Sequence, residues 1–234
     1  MIRPMRSAKV RLLVAVLAGV GAAATGSGCG TADPGLMVAI PPPRDWERRL
    51  ADHRAAKDDS FRTSPQTPLL PEQVAGFAGL EYWPPRRDLH FVGPIHGYVA
   101  PEPTVIATTA GGERPAEKFG FVRFRLGGRV QTLQVYRLLD RDPREGVEGL
   151  FLGFYDETSG KETYPAGRYI EFLGRAGGPY ILDFNLAFNP SCAYGAPERF
   201  ACPLAPRENR LSLRIEAGER GYHRPPEASA ATGS

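Results

Sequence analysis

The sequence predicts a mainly β domain, an antiparallel barrel or sandwich with one helix at its N-terminal side. Three observations carry this. From Arg87 onward, apolar and polar residues alternate with a period of two, in short runs separated by Gly, Pro and Ser turns. The connections leave no room for the crossover helices that parallel strands require, so the pairing is largely antiparallel. Finally, Gly127-Gly128 sits between two long alternating runs, the pattern of a two-residue hairpin.

The chain opens on an address. Residues 1–11 are basic, and Leu12 to Ala24 is an apolar run of 13 residues. A bilayer span takes about 20, so this is the core of a signal peptide. The overall charge of +3 belongs to this segment. Without Arg3, Arg6, Lys9 and Arg11, 25 basic residues stand against 26 acidic ones, a balance of −1. That excludes a nucleic-acid or headgroup footprint on the remaining chain. Thr25-Gly26-Ser27-Gly28-Cys29 resembles a bacterial lipobox, in which the Cys becomes the lipid-modified first residue. Gly26 departs from the aliphatic residue that pattern prefers. Ordinary secretory cleavage after Ala22-Ala23-Ala24 is the alternative. Either route places the mature protein outside the cytoplasm, secreted or periplasmic after ordinary cleavage and anchored in the cell envelope after lipidation. The membrane is then a partner through a lipid anchor on Cys29.

Residues 29–43 end in three prolines and lack any period, which predicts a flexible tether. A helix begins at Asp45-Trp46-Glu47, with Trp46, Leu50 and His53 or Arg54 on one stripe. Six basic and five acidic residues lie between Arg44 and Arg62, mixed signs that describe a solvated helix face. Strands follow at Leu89–Phe91 and Thr104–Thr108. Phe119–Leu126 and Arg129–Leu138 flank the Gly-Gly turn. That register pairs Leu126 with Arg129 and Val122 with Leu133. It sends Val122, Phe124, Leu126, Leu133 and Val135 to one face and Arg123, Arg125, Thr132 and Gln134 to the other. Further strands are expected at Leu150–Asp156, Arg168–Leu173, Tyr180–Asn185 and Leu211–Ala217. The domain spans 44–221, long enough for one core, and 222–234 is a disordered tail.

Polar residues concentrate in the C-terminal third. Asp156-Glu157-Thr158-Ser159-Gly160 leads through Thr163-Tyr164 to Gly167-Arg168. Asp183-Phe184-Asn185 then runs through Asn189-Pro190 to Cys192-Ala193-Tyr194. Cys202-Pro203, Asn209 and Ala217-Gly218-Glu219 complete the set. Together with Ser64-Pro65 to Pro71 and Phe77 to Tyr82, these blocks resemble an uncharacterised bacterial family, domain of unknown function 1684. The resemblance covers residues 46–220 and departs at Phe188, Pro165-Ala166 and Ala205. It implies a fold and a set of signature residues, with no activity, substrate or cofactor.

The residues themselves offer two readings. In one, Asp156, Tyr164, Arg168, Asp183, Asn185 and Asn189 line a polar pocket for a small ligand or partner. In the other, the Asp and Asn side chains cap turns and Arg168 neutralises a buried Asp, either Asp183 or Asp156. Cys192 and Cys202, with nine residues between them, are expected to form a disulfide in an oxidising compartment. His90 and His96 are the one conceivable metal pair, and no metal or cofactor is expected. No Walker, G-x-G-x-x-G, H-E-x-x-H or G-x-S-x-G pattern occurs. Three functions stay open. One is an envelope domain binding a ligand at Asp183, Asn185 and Arg168. Another is a hydrolase using Asp156 or Asp183 as general acid/base. The third is a structural envelope protein.

Overall fold

Two antiparallel sheets organise the computed structural model, which describes residues 35–140, 149–172, 178–195 and 199–222. The smaller sheet contains β1 (Val38–Ala39), β2 (His90–Gly93) and β8 (Tyr180–Asp183), in the order β1-β2-β8. The larger runs in sequence order through β3 (His96–Ala107), β4 (Glu113–Leu126), β5 (Arg129–Leu138), β6 (Leu150–Phe154) and β7 (Arg168–Ile170). Neither closes into a barrel among the described residues. The signal segment 1–28, Cys29, Leu173 and the tail from residue 223 lie outside the described residues.

The Gly-Gly hairpin forms as its sequence dictates. Gly127 and Gly128 have φ of 62° and 75°, the left-handed values a type I′ turn needs. Val122 pairs with Leu133 and Leu126 with Arg129. Val122, Phe124, Leu133 and Val135 are buried without measurable exposure, while Arg125 and Thr132 face solvent. Both sheets feed the same core. Phe91 and Leu182 of the smaller sheet cluster with Val122, Phe124, Leu152 and Phe154 of the larger. β3 is longer than its apolar run suggested, and its Pro101 and Pro103 are tolerated because it is an edge strand.

Helix α1 (Trp46–Thr63) buries Trp46, Leu50 and Phe61 and leaves its charged remainder outside. Phe61 joins Leu69, Phe77 and Tyr194 in a separate cluster beside the short helix α2 (Pro71–Val74). No helix among the described residues is long and apolar enough to cross a membrane.

Four expectations are corrected. Residues 35–43, read as tether, dock on the domain. Met37 is buried in the core, its N–H bonds Arg123 O at 2.7 Å, and Val38–Ala39 pair with β2. Gly93 permits this, since a Cβ there would lie 2.7 Å from Met37 Cα. Leu211–Ala217 is not a strand; Leu211 and Leu213 bond the backbone of Tyr155 and Glu157, and side chains take the place of a strand partner at Ile215 and Ala217. The run Tyr180–Asn185 ends as a strand at Asp183 and turns into a 3-10 helix at Phe184–Leu186. Tyr222 belongs to the domain, its ring 5.6 Å from that of Tyr194.

Candidate functional site

The signature side chains are almost all buried, and most are committed to the backbone. Asp156 follows β6. Its carboxylate accepts the Thr158 hydroxyl at 2.8 and 2.9 Å, the Ser159 hydroxyl at 3.2 Å and the Ile215 N–H at 2.6 Å. Arg168 opens β7 and lies 3.5 Å from Asp156, both side chains having no exposure. Its Nη1 donates to Ala217 O at 2.5 Å and Glu219 O at 3.0 Å, and its Nη2 to Ile215 O at 2.8 Å. Burial lowers the pKa of this guanidinium, and the Asp156 charge opposes the shift. One ion pair thus bonds the backbone at residues 215, 217 and 219, while backbone bonds from Trp83 to Gly218 and from Glu219 to Ala187 hold the end of the segment.

Asp183 and Asn185 do converge, but on each other and on the chain. Asp183 accepts the indole N–H of Trp46 at 2.9 Å, the Asn185 N–H at 2.9 Å and the Asn185 amide at 2.7 Å. Asn185 accepts the Arg86 N–H at 2.7 Å and donates to Arg86 O at 2.8 Å. Of the two carboxylates considered for Arg168, it takes Asp156. Asn189 donates to Arg220 O at 2.7 Å. Glu219 gathers the Asn189 N–H at 2.9 Å, the Tyr194 hydroxyl at 2.5 Å and the ammonium of Lys57. Asn209 ties β5 to β6 through Gln134 and Gly153.

The expected disulfide is absent: Cys192 and Cys202 are both free and buried. Their sulfurs are held by other bonds. Cys202 Sγ accepts the Cys192 N–H at 3.3 Å, and Tyr164 Oη lies 3.6 Å from Cys192 Sγ. The hydrogen bond from Cys202 pulls the Cys192 thiol down to about 6, against burial and helped by Tyr164 and Thr109. Burial raises the Tyr164 phenol, helped by its bond to Cys192. His90 Nδ1 lies 3.0 Å from Ile40 O and His96 Nε2 lies 2.6 Å from Gly35 O. The two histidines therefore pin the N-terminal segment. No group of three or more potential metal ligands occurs among the described residues.

Open space lies along α1. One cavity of about 570 Å³ is mainly apolar, bordered by Trp46, Leu50, Val92, Ile181 and Leu186, with Asp183 in its wall. A second, of about 240 Å³, is bordered by Arg54, Lys57, Tyr82, Asn185, Phe188 and Glu219. The two share His53 and Leu186. Asp156, Tyr164, Arg168 and Asn189 border neither. In the smaller cavity, the Arg54 guanidinium stacks 4.3 Å from the Tyr82 ring centroid and donates once, to Trp83 O at 3.3 Å. Its Nε and Nη2 and the Tyr82 hydroxyl are buried without a hydrogen-bond partner among the described residues. Burial lowers the Arg54 pKa, with Tyr82, Glu219 and Asp183 opposing, and raises that of Tyr82.

Residues 75–220 match the family described as protein of unknown function (DUF1684). The chain belongs to the DUF1684 family. A solved structure also resembles it: the solution NMR structure of the uncharacterized protein from gene locus rrnAC0354 of Haloarcula marismortui. Identity is 34%, covering 75% of this chain and 94% of that one, with a TM-score of 0.57. That protein comes from a haloarchaeon, so the likeness extends beyond the bacteria that the sequence suggested. No curated protein matches the chain.

Sequence reasoning passed over Arg54, Lys57 and Tyr82 as site residues of this DUF1684 domain. Arg54 was legible as the residue four positions after Leu50, on the buried stripe. Tyr82 and Glu219 each lie in a signature block, but nothing local places them across from α1.

Proposed function

We propose that this protein is a ligand-binding domain of the cell envelope, holding a small molecule in the cleft between α1 and the β2–β8 sheet. One observation carries the reading. The mainly apolar 570 Å³ cavity is of ligand size and is walled by three separate elements. Meanwhile Asp156, Arg168 and Asn189 border neither of the two cavities along α1 and are engaged in holding the chain. That distribution favours binding over a hydrolase at Asp156, whose carboxylate already accepts three donors and faces Arg168. Asp183 as an acid/base is equally engaged, by Trp46 and Asn185.

The envelope location rests on the basic start, the 13-residue apolar run and Cys29, which supplies the lipid anchor. Five residues separate Cys29 from Gly35, about 20 Å of extended chain at most over six peptide steps. An anchored protein would therefore hold residues 35–43, one wall of the cleft, close to the bilayer.

The test of the cleft uses Nile red, a neutral apolar dye. Dye fluorescence should rise with the purified protein and fall to background in Leu186→Trp, whose indole fills the cavity, with unchanged thermal unfolding. Equal dye binding by a stable Leu186→Trp variant would reject the cleft. Incorporation of a fatty-acid analogue that is lost in Cys29→Ala tests the anchor; labelling that persists rejects it.

A further inference from the structure

We infer that the cleft takes a single-chain anionic amphiphile, its apolar chain between Trp46 and Leu186 and its carboxylate at Arg54 and Tyr82. This rests on the ligand-binding reading above and adds the ligand's chemical class.

Three buried donors border the smaller cavity without an acceptor: Arg54 Nε, Arg54 Nη2 and the Tyr82 hydroxyl. Buried polar groups in native proteins are generally paired, and such exceptions ask for an explanation. Of the three carboxylates that border the two cavities, Glu171 is exposed and the other two are engaged by buried donors. Glu219 accepts Lys57, Asn189 and Tyr194. Asp183 accepts Trp46 and Asn185. What the site lacks is a planar acceptor with two oxygens, and a carboxylate matches an Arg fork bidentately. The Tyr82 ring beneath the guanidinium holds the fork flat.

The polar and apolar cavities share His53 and Leu186, so one molecule can enter both. Together they flank α1 from Trp46 to Lys57, about 16 Å of helix at 1.5 Å per residue. A small polar anion would use only the smaller cavity, and a neutral hydrocarbon only the larger. An aliphatic carboxylate satisfies both ends.

Titration calorimetry of the purified protein with dodecanoate, dodecanol and acetate separates these cases. Dodecanoate should bind at least about tenfold more tightly than dodecanol, the worth of a charge-assisted hydrogen bond. Acetate should bind more weakly than either. Arg54→Gln should erase the preference for dodecanoate while leaving dodecanol affinity intact. Tyr82→Phe removes a single unpaired hydroxyl and keeps the ring; it should reduce the preference several-fold, and it carries the test if Arg54→Gln fails to fold. Equal affinity for dodecanoate and dodecanol in the unmodified protein would overturn the carboxylate site yet leave the cleft in place. So would an unchanged preference in Tyr82→Phe. Acetate binding as tightly as dodecanoate would overturn the amphiphile. Absence of binding by dodecanoate, dodecanol and Nile red alike would overturn both this inference and the cleft.

Discussion

Arg168 faces Asp156 across 3.5 Å inside the protein, and between them the two side chains bond the backbone of residues 215, 217 and 219. The pair supplies the bonds that a β-ladder would otherwise make at Ile215 and Ala217. Its partners are backbone carbonyls and an N–H that a strand would otherwise satisfy, and the side chains meet in the middle. Removing Arg168 strands a buried carboxylate and leaves three carbonyl groups with a bond missing. Arg168→Met should therefore destabilise the domain by about 3–5 kcal/mol, the cost of breaking one half of a buried pair. Urea unfolding measures it. A loss below 1 kcal/mol would show that the carbonyls find other donors.

Asp183 sits where strand, turn and α1 meet. Replacing it with Asn exchanges one acceptor oxygen for an NH2 group, and Trp46, the Asn185 N–H and the Asn185 amide then compete for one remaining oxygen. Asp183→Asn should cost about 1–3 kcal/mol in urea unfolding. It should also shift tryptophan emission, since the indole of Trp46 loses its partner. The Trp46→Phe variant, which retains only Trp83, assigns the signal.

Gly93 controls the N-terminal segment. A Cβ at that position collides with the Met37 backbone at 2.7 Å. Gly93→Ala should expel residues 35–43, exposing a new site for limited proteolysis and lowering stability by about 1–3 kcal/mol. Because Ile40, Pro41 and Pro43 border the larger cavity, the same variant should lose Nile red binding. Unchanged proteolysis would mean that the sheet shifts to admit the methyl group.

Cys192 and Cys202 should both alkylate in denaturant without reductant, because neither is bonded to the other. In the folded protein Cys192 is pulled from 9.0 to about 6 by Cys202, while that same hydrogen bond pushes Cys202 up. The pair thus releases one proton near pH 6 and retains the second. Between pH 6 and 9 the unfolded chain holds one more proton on these thiols than the folded one, so stability rises with pH across that window. It is lost as pH falls through about 6. Thiolate absorbance of the folded protein checks the titration, and Cys202→Ala should return Cys192 toward its ordinary value.

Much was legible locally. The Gly-Gly turn determined its own register, because two left-handed residues and a period-two pattern leave one pairing that buries a single face. The stripe on α1 named Trp46 and Leu50 as buried for the same reason. The run Leu211–Ala217 has a strand's alternation, yet only Leu211 and Leu213 bond a neighbouring backbone, and Ile215 and Ala217 bond the side chains of Asp156 and Arg168, which no period reports. The signature residues drew attention as a pocket because composition shows that polar groups are present and says nothing of what satisfies them.

The sequence by itself determined the β class, the hairpin, the helix and the family, since each depends on residues close in the chain or on motifs read in order. Only the tertiary structure decided the roles of the polar side chains. It turned Asp156, Arg168 and Asn189 into supports for distant backbone, separated Cys192 from Cys202 as free thiols, and set Arg54 and Tyr82 beside one cavity. The reason is physical. A buried polar group is defined by its partner, and here the partners stand tens of residues away, where only the packing of α1 and the two sheets brings them within hydrogen-bond reach.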